Sequence, residues 1–201
     1  CTWVTSSAED ALSIGQSDIT MLQPSEADLP GEQTIEDITD AVVTGLADYC
    51  RKSGITSIVL GLSGGIDSAV AACVAVAALG PSNVTGLAMP SRHSSQHSID
   101  DAEYTATSLG MHHRVHSIDS MHQATEVEFG SVLVDGHAVA GENLQARLRA
   151  LLVMGYANAQ SSMAITTGNK SEIAQGYCTL YGDMAGGYAP LGDVYKMEVY
   201  A

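Results

Sequence analysis

From residue 35 to residue 54 the apolar positions Ile35, Ile38, Val42, Leu46 and Tyr49 recur every three or four residues. That spacing lines one face of a helix, and Gly54 supplies its stop. The period then shortens. Ile58-Val59-Leu60 is an apolar, largely β-branched run that predicts a strand over 57–62. The Ala/Val-rich stretch after it predicts a helix over 67–79. A second strand runs from Val84 to Met89 and is closed by Pro90. A helix near 98–109 stops at Gly110, and a strand at 113–118 leads into a short helix at 119–128. A long helix over about 141–159 and a strand over 162–166 complete the pattern. Strands alternating with helices specify an α/β fold, a doubly wound parallel sheet with helices on both faces. Ligands in such sheets sit beyond the carboxyl ends of the strands. Residues 61–68, 89–98 and 167–172 all fall there.

Residues 1–33 break this pattern. They are rich in Ser, Asp, Glu, Gly and Pro, with Pro24 and Pro30 as punctuation, and read as a linker or the tail of a preceding domain. The chain begins at Cys1 rather than Met and ends within a pattern at Val199-Tyr200-Ala201, so it reads as cut at both ends.

Charge changes the picture next. The net charge of −15 disfavours nucleic acid and anionic membranes as partners. Residues 1–50 hold ten acidic residues and no basic one, so all eight Lys and Arg lie from Arg51 onward. Arg92, Arg147, Arg149, Lys170 and Lys196 fall in motif-like stretches, which suits an anionic ligand; Arg51, Lys52 and Arg114 read as solvated surface charge. The four cysteines (Cys1, Cys50, Cys73, Cys178) show neither metal-ligand nor disulfide spacing. Cys73, inside the Ala/Val helix, is expected to be buried. With no signal peptide and no apolar run long enough to span a membrane, the expected location is the cytoplasm.

The chemistry concentrates at Gly61-Leu62-Ser63-Gly64-Gly65-Ile66-Asp67-Ser68. Strand, glycine turn and helix form an anion cradle. The glycines turn backbone N–H groups toward one point, and the helix start adds its positive end. Ser63 and Ser68 can donate to phosphate oxygens. Asp67 repels phosphate unless a divalent cation lies between them, which indicates Mg²⁺. No lysine follows, so this is not the lysine-bearing phosphate loop. A plain tight turn is the competing reading of such a string.

Further stretches point the same way. Thr166-Thr167-Gly168-Asn169-Lys170-Ser171-Glu172 leaves a strand and enters a helix. Asn169 or Ser171 suits a helix cap with Glu172 in the first turn, yet Glu172 also stands at the same sheet edge as Asp67 and can share a cation with it. In Glu142-Asn143-Leu144-Gln145-Ala146-Arg147-Leu148-Arg149 the pair Asn143 and Arg147 shares a helix face. Arg147 can fork onto a carboxylate or phosphate, or the helix is a surface one with a Glu142–Arg149 pairing. Residues Tyr177 to Gly187 read as a loop that closes on a ring, or as a structural turn. Lys196 is an exposed helix lysine or a phosphate contact. His93 and His97 read as loop residues, with no metal-ligand spacing around them.

The loop at 61–68 resembles the Ser-Gly-Gly-x-Asp-Ser loop of ATP pyrophosphatases. Asn-Leu-Gln-Ala-Arg (143–147), Thr-Thr-Gly-Asn-Lys-Ser-Glu (166–172), Tyr-Gly-Asp-Met-Ala-Gly-Gly (181–187) and Ala-Pro-Leu-Gly-Asp-Val-Tyr-Lys (189–196) follow it in order. Together they make residues 34–201 resemble the NAD synthetases, specifically the synthetase domain of the glutamine-dependent branch. Other loop-bearing families, such as GMP synthetase and asparagine synthetase, lack the later motifs.

That resemblance implies an adenine nucleotide α-hydrolase-like fold and a two-step ligase reaction. ATP adenylates the nicotinate carboxylate of deamido-NAD with release of pyrophosphate, and ammonia, free or glutamine-derived, displaces AMP to give NAD. Residues 61–68 would then hold the ATP phosphates with Met89 near the adenine, and Thr167 and Lys196 would contact ATP. Asp67 and Glu172 would hold Mg²⁺, and with Lys196 they form the expected catalytic set. Asn143, Arg147, Glu172, Tyr177, Thr179, Leu180 and Asp183 would contact deamido-NAD. The resemblance also implies a homodimer, an upstream amidase domain, and further substrate contacts beyond residue 201. Three readings stand together: an amide-forming ligase, a nucleotide-binding module of the same fold without turnover, and another ATP pyrophosphatase acting on a different substrate. The pair Asp67 and Glu172 argues for an intact site, and the motifs after residue 140 argue against the third.

Overall fold

A computed structural model describes residues 34–130 and 138–201. The expected linker, 1–33, lies outside the described residues. Helix α1 (Ile35–Ser53) opens the domain, with Glu36 and Asp37 in its first turn and Arg51 and Lys52 in its last, each suited to the helix dipole. Gly54 follows at φ 69°, the left-handed conformation that ends helices. Strand β1 (Ile58–Leu62) then leads into α2 (Ile66–Leu79), β2 (Val84–Ala88) into α3 (Gln96–Leu109), and β3 (His112–Val115) into α4 (Asp119–Phe129). The long α5 (Ala138–Gln160), the short β4 (Met163–Ala164), α6 (Lys170–Gln175) and α7 (Lys196–Tyr200) complete the order.

The described strands form one parallel sheet in the order β3-β2-β1-β4. Its two faces can be read directly from β1. Ile58, Leu60 and Leu62 enter the larger apolar cluster, with α1 and α2 residues such as Leu46, Ala71 and Ala75. Val59 points the other way and packs with Leu87, Ala164, and Val153 and Ala157 of α5. This period-two division puts helices on both faces, as the alternating pattern requires. The strand order reverses between β1 and β4. That reversal is the switch point at which open α/β sheets bind ligands.

Several local expectations are corrected. Helix α3 begins at Gln96, because the Ser95 side chain accepts from Ser98 N and caps it. His97 therefore lies on a helix and pairs with Asp101 at 2.7 Å. Strand β3 stops at Val115, and β4 is two residues long, because Ile165 bridges to Tyr188 instead. Cys73 is exposed, whereas Cys50 is the buried thiol among the described residues. The buried positions of α2 are Ser68, Ala71, Ala72, Val74 and Ala75. At 100° per residue Cys73 falls on the side away from most of them.

Candidate functional site

Three segments meet at the switch point: the β1–α2 loop, the β4–α6 loop, and the turn entering α7. In the first, Gly64 adopts φ 78°, and a Cβ there would lie 2.8 Å from Ser98 Cα, so glycine alone fits. Gly65 caps α2 without a side chain. Ser63 Oγ accepts from Gly65 N at 3.1 Å and shares a 3.1 Å bond with Ser68 Oγ. Ser68 Oγ donates to the Gly65 carbonyl at 2.9 Å and is 3 % exposed. These hydroxyls, expected to face phosphate, here bond one another and fix the loop.

Asp67, in the first turn of α2, connects the segments. Its Oδ2 accepts from Lys196 Nζ at 2.5 Å, and its Oδ1 accepts from Asn169 Nδ2 at 3.2 Å. Asn169 is fully buried and caps α6: its Oδ1 accepts from Glu172 N at 3.1 Å while its own N–H donates to Glu172 Oε2 at 3.0 Å. The expected cap and the expected carboxylate pair are thus one construction. A single asparagine, 102 residues from Asp67 in sequence, ties Asp67 to Glu172. Lys196 N donates to Ser171 Oγ at 3.0 Å, which docks α7 on α6. Partial desolvation lowers the Lys196 pKa, but the bond and charge of Asp67 outweigh it and hold the ammonium above its ordinary value.

Beside this junction lies a cavity of about 410 Å³. Gly61, Leu62, Ser63, Met89, Thr167 and Asp183 line it, all expected site residues. Arg149 lines it too; the sequence counted it among five cations suited to an anionic ligand without assigning it a contact. The alternative reading, a Glu142–Arg149 pairing, does not occur among the described residues; Arg149 Nε donates instead to the Met89 carbonyl at 3.2 Å. A smaller hollow of about 230 Å³ shares Thr166 and Asp183 with the first and reaches Glu172 and Cys178.

The segment 177–183 is tied to α5. Thr179 Oγ1 donates to Asn143 Oδ1 at 2.7 Å, Arg147 Nε donates to the Leu180 carbonyl at 3.2 Å, and Thr179 N donates to Asp183 Oδ1 at 2.7 Å. Asn143 and Arg147 therefore act on one face of α5, as their spacing requires. The Tyr177 and Leu180 side chains stand in solvent, 77 % and 64 % exposed. Among the described residues no group of three or more His, Cys, Asp or Glu could hold a metal. The carboxylates of Asp67 and Glu172, oriented by the same asparagine, nevertheless supply hard oxygen donors of the kind Mg²⁺ accepts when phosphate and water complete its shell.

A parallel sheet with a glycine loop feeding a helix at the switch point, and a lysine–aspartate pair beside it, defines a nucleotide-binding α/β domain. The family model "NAD synthase" matches residues 38–201, and the chain belongs to that family, one of ATP-dependent ligases. A glutamine-dependent NAD(+) synthetase of Rhodobacter capsulatus is 50 % identical over 173 residues, 85 % of this chain and 31 % of that protein. The chain thus spans about a third of the length of the curated relatives it matches. A glutamine-dependent NAD+ synthetase from Acinetobacter baumannii, solved in complex with ADP, superposes with a TM-score of 0.81 at 40 % identity, covering 86 % of this chain and 33 % of that one. An NMN synthetase from Francisella tularensis gives a TM-score of 0.77 at 32 % identity, covering 84 % of this chain and 69 % of that one.

Proposed function

We propose that this chain carries the amide-forming site of a glutamine-dependent NAD synthetase. A carboxylate oxygen of deamido-NAD attacks the α-phosphorus of ATP and the bond to pyrophosphate breaks. The nitrogen of ammonia then adds to the acyl carbon, and AMP and a proton leave. The first step turns a carboxylate, whose oxide is a poor leaving group, into a mixed anhydride whose leaving group is AMP. The protein need only align the reactants and neutralise charge. The observation that carries this reading is the junction of Lys196, Asp67, Asn169 and Glu172, which sets a cation and two carboxylates beside a phosphate-type loop.

Residues 61–68 would receive the phosphates, with Lys196 as a counter-charge, Thr167 as a further ATP contact and Met89 against the adenine. Asp67 and Glu172 would hold Mg²⁺, which when bound neutralises charge on the phosphate oxygens. Asn143, Arg147, Tyr177, Thr179, Leu180 and Asp183 would shape the dinucleotide side, and a homodimer would complete it. The ADP in the Acinetobacter relative supports the nucleotide assignment. The Francisella neighbour is an NMN synthetase, so the mononucleotide counterpart of deamido-NAD, nicotinate mononucleotide, is the competing acceptor to test. The test is pyrophosphate release from ATP and Mg²⁺ in ammonium buffer with deamido-NAD, with nicotinate mononucleotide, and with neither. Release that requires deamido-NAD, with NAD appearing, supports the proposal. Release driven by the mononucleotide reassigns the substrate, and ATP binding without release identifies a nucleotide-binding module.

A further inference from the structure

Two arginines on α5 stand two residues apart, about 200° around the helix, and they serve different neighbours. Arg147 is exposed and bonds the Leu180 carbonyl. Arg149 is half-buried and bonds the Met89 carbonyl, just beyond β2, on the opposite side. We propose that Arg149 is the cation that receives the α-phosphate of the bound adenine nucleotide, an inference that rests on the nucleotide reading of the cavity.

Charge accounting leads to it. Arg51, Lys52, Arg92, Lys170 and Lys196 each have a carboxylate within 4.0 Å. Arg114, Arg147 and Arg149 have none among the described residues, and of these three Arg149 alone is partly buried, which pushes its pKa down. A partly desolvated guanidinium without a counter-charge is unfavourable, and an anion brought by a ligand removes the penalty. Arginine stays charged regardless, so the positive charge persists in the empty cavity.

Geometry restricts which anion. Arg149 and Asp183 are the charged residues that line this cavity, so Arg149 is its cation among the described residues. Its Nε bond to Met89 fixes the guanidinium plane at the carboxyl end of β2, the neighbour of β1. The same cavity wall continues through Gly61, Leu62 and Ser63 into the phosphate loop. With Nε engaged, the two terminal nitrogens bond no other described residue and can fork onto two phosphate oxygens. Arg147, facing the 177–183 segment, is left for the other substrate. The adenylyl phosphorus, which keeps its bond to the nucleotide while losing pyrophosphate, carries the charge that a fixed guanidinium can hold throughout.

The experiment compares AMP with adenosine, ligands that differ by that one phosphate. Calorimetric titration of the whole chain as wild type, Arg149→Met and Arg149→Lys gives all the affinities needed. Arg149→Met is expected to weaken AMP about ten- to a hundredfold, the range of a charge-assisted hydrogen bond, and to leave adenosine unchanged. Arg149→Lys recovers part of the loss. A residue that merely holds Met89 in place predicts instead that adenosine and AMP weaken together, which overturns the proposal. Undiminished AMP binding by Arg149→Met overturns it as well. If the wild type binds neither AMP nor adenosine, the nucleotide reading itself falls and takes this one with it. Urea midpoints of both variants confirm that the titrated protein is folded.

Discussion

Gly64→Ala tests the geometry of the phosphate loop most sharply, because a matched control exists in the same chain. Gly64 and Gly54 both adopt positive φ, 78° and 69°. An alanine at Gly54 meets nothing within 4 Å, so it carries backbone strain alone, about 1–2 kcal/mol. An alanine at Gly64 carries the same strain, but its Cβ would overlap the Ser98 carbonyl oxygen and lie 2.8 Å from Ser98 Cα. Those atoms are backbone in the first turn of α3, so no side-chain rotation relieves the overlap. Overpacking of this kind adds about 1–3 kcal/mol, for a total of about 2–5 kcal/mol. Urea unfolding reads the difference as a lower midpoint for Gly64→Ala than for Gly54→Ala at equal slope. ATP binding supplies a second readout, because relief of the overlap must move either the loop or α3. Gly54→Ala should bind ATP as wild type does, and Gly64→Ala should bind it weakly. Equal midpoints and equal ATP affinities in the two variants would refute the close approach of the loop to α3.

Three further outcomes follow from the same geometry. Asp67→Asn should abolish Mg²⁺-dependent cleavage of ATP; unchanged cleavage, measured as pyrophosphate, removes Asp67 from the metal site. Arg147→Ala frees the Leu180 carbonyl and should raise the KM for deamido-NAD more than that for ATP, while equal rises contradict its placement on the dinucleotide side. Because Asp67 holds Lys196 above its ordinary pKa of 10.5, the pair stabilises the fold fully below that value, and its contribution is lost as pH rises through the folded pKa. The urea midpoints of wild type and Lys196→Met should therefore converge in that alkaline range, and a gap that persists there argues against the ion pair.

How much of this was legible in the sequence depended on whether the determinant was local. The helix over 35–53 and the β1–α2 loop follow from periodicity and turn residues within about one window of chain, and the structure places both as read. Helix boundaries slipped where a cap decided them. Ser95 and Ser98, a serine pair in a polar run, start α3 earlier than its apolar residues suggest. Strand β4 is short because Ile165 answers to Tyr188, a partner that no pattern around residue 165 announces. Cys73 was misplaced because a helix of Ala and Val offers no polar face to show which side meets the sheet. Arg149, one of five cations suited to an anionic ligand, had no legible partner for a related reason. Its meaning lies in a carbonyl 60 residues away, whereas the nearby Glu142 offered a simpler partner. Asn169 was visible as a cap, but its second role, bridging Asp67 to Glu172, exists only once β1 and β4 are neighbours.

The central claim is that this site activates a carboxylate by adenylation, and the fate of one oxygen atom tests it. Deamido-NAD labelled with ¹⁸O in its nicotinate carboxylate, incubated with ATP, Mg²⁺ and ammonium, should yield AMP carrying one labelled oxygen, because the attacking oxygen stays on the α-phosphorus when ammonia takes the acyl group. Label in an orthophosphate product, or NAD formed beside unlabelled AMP, would contradict the account.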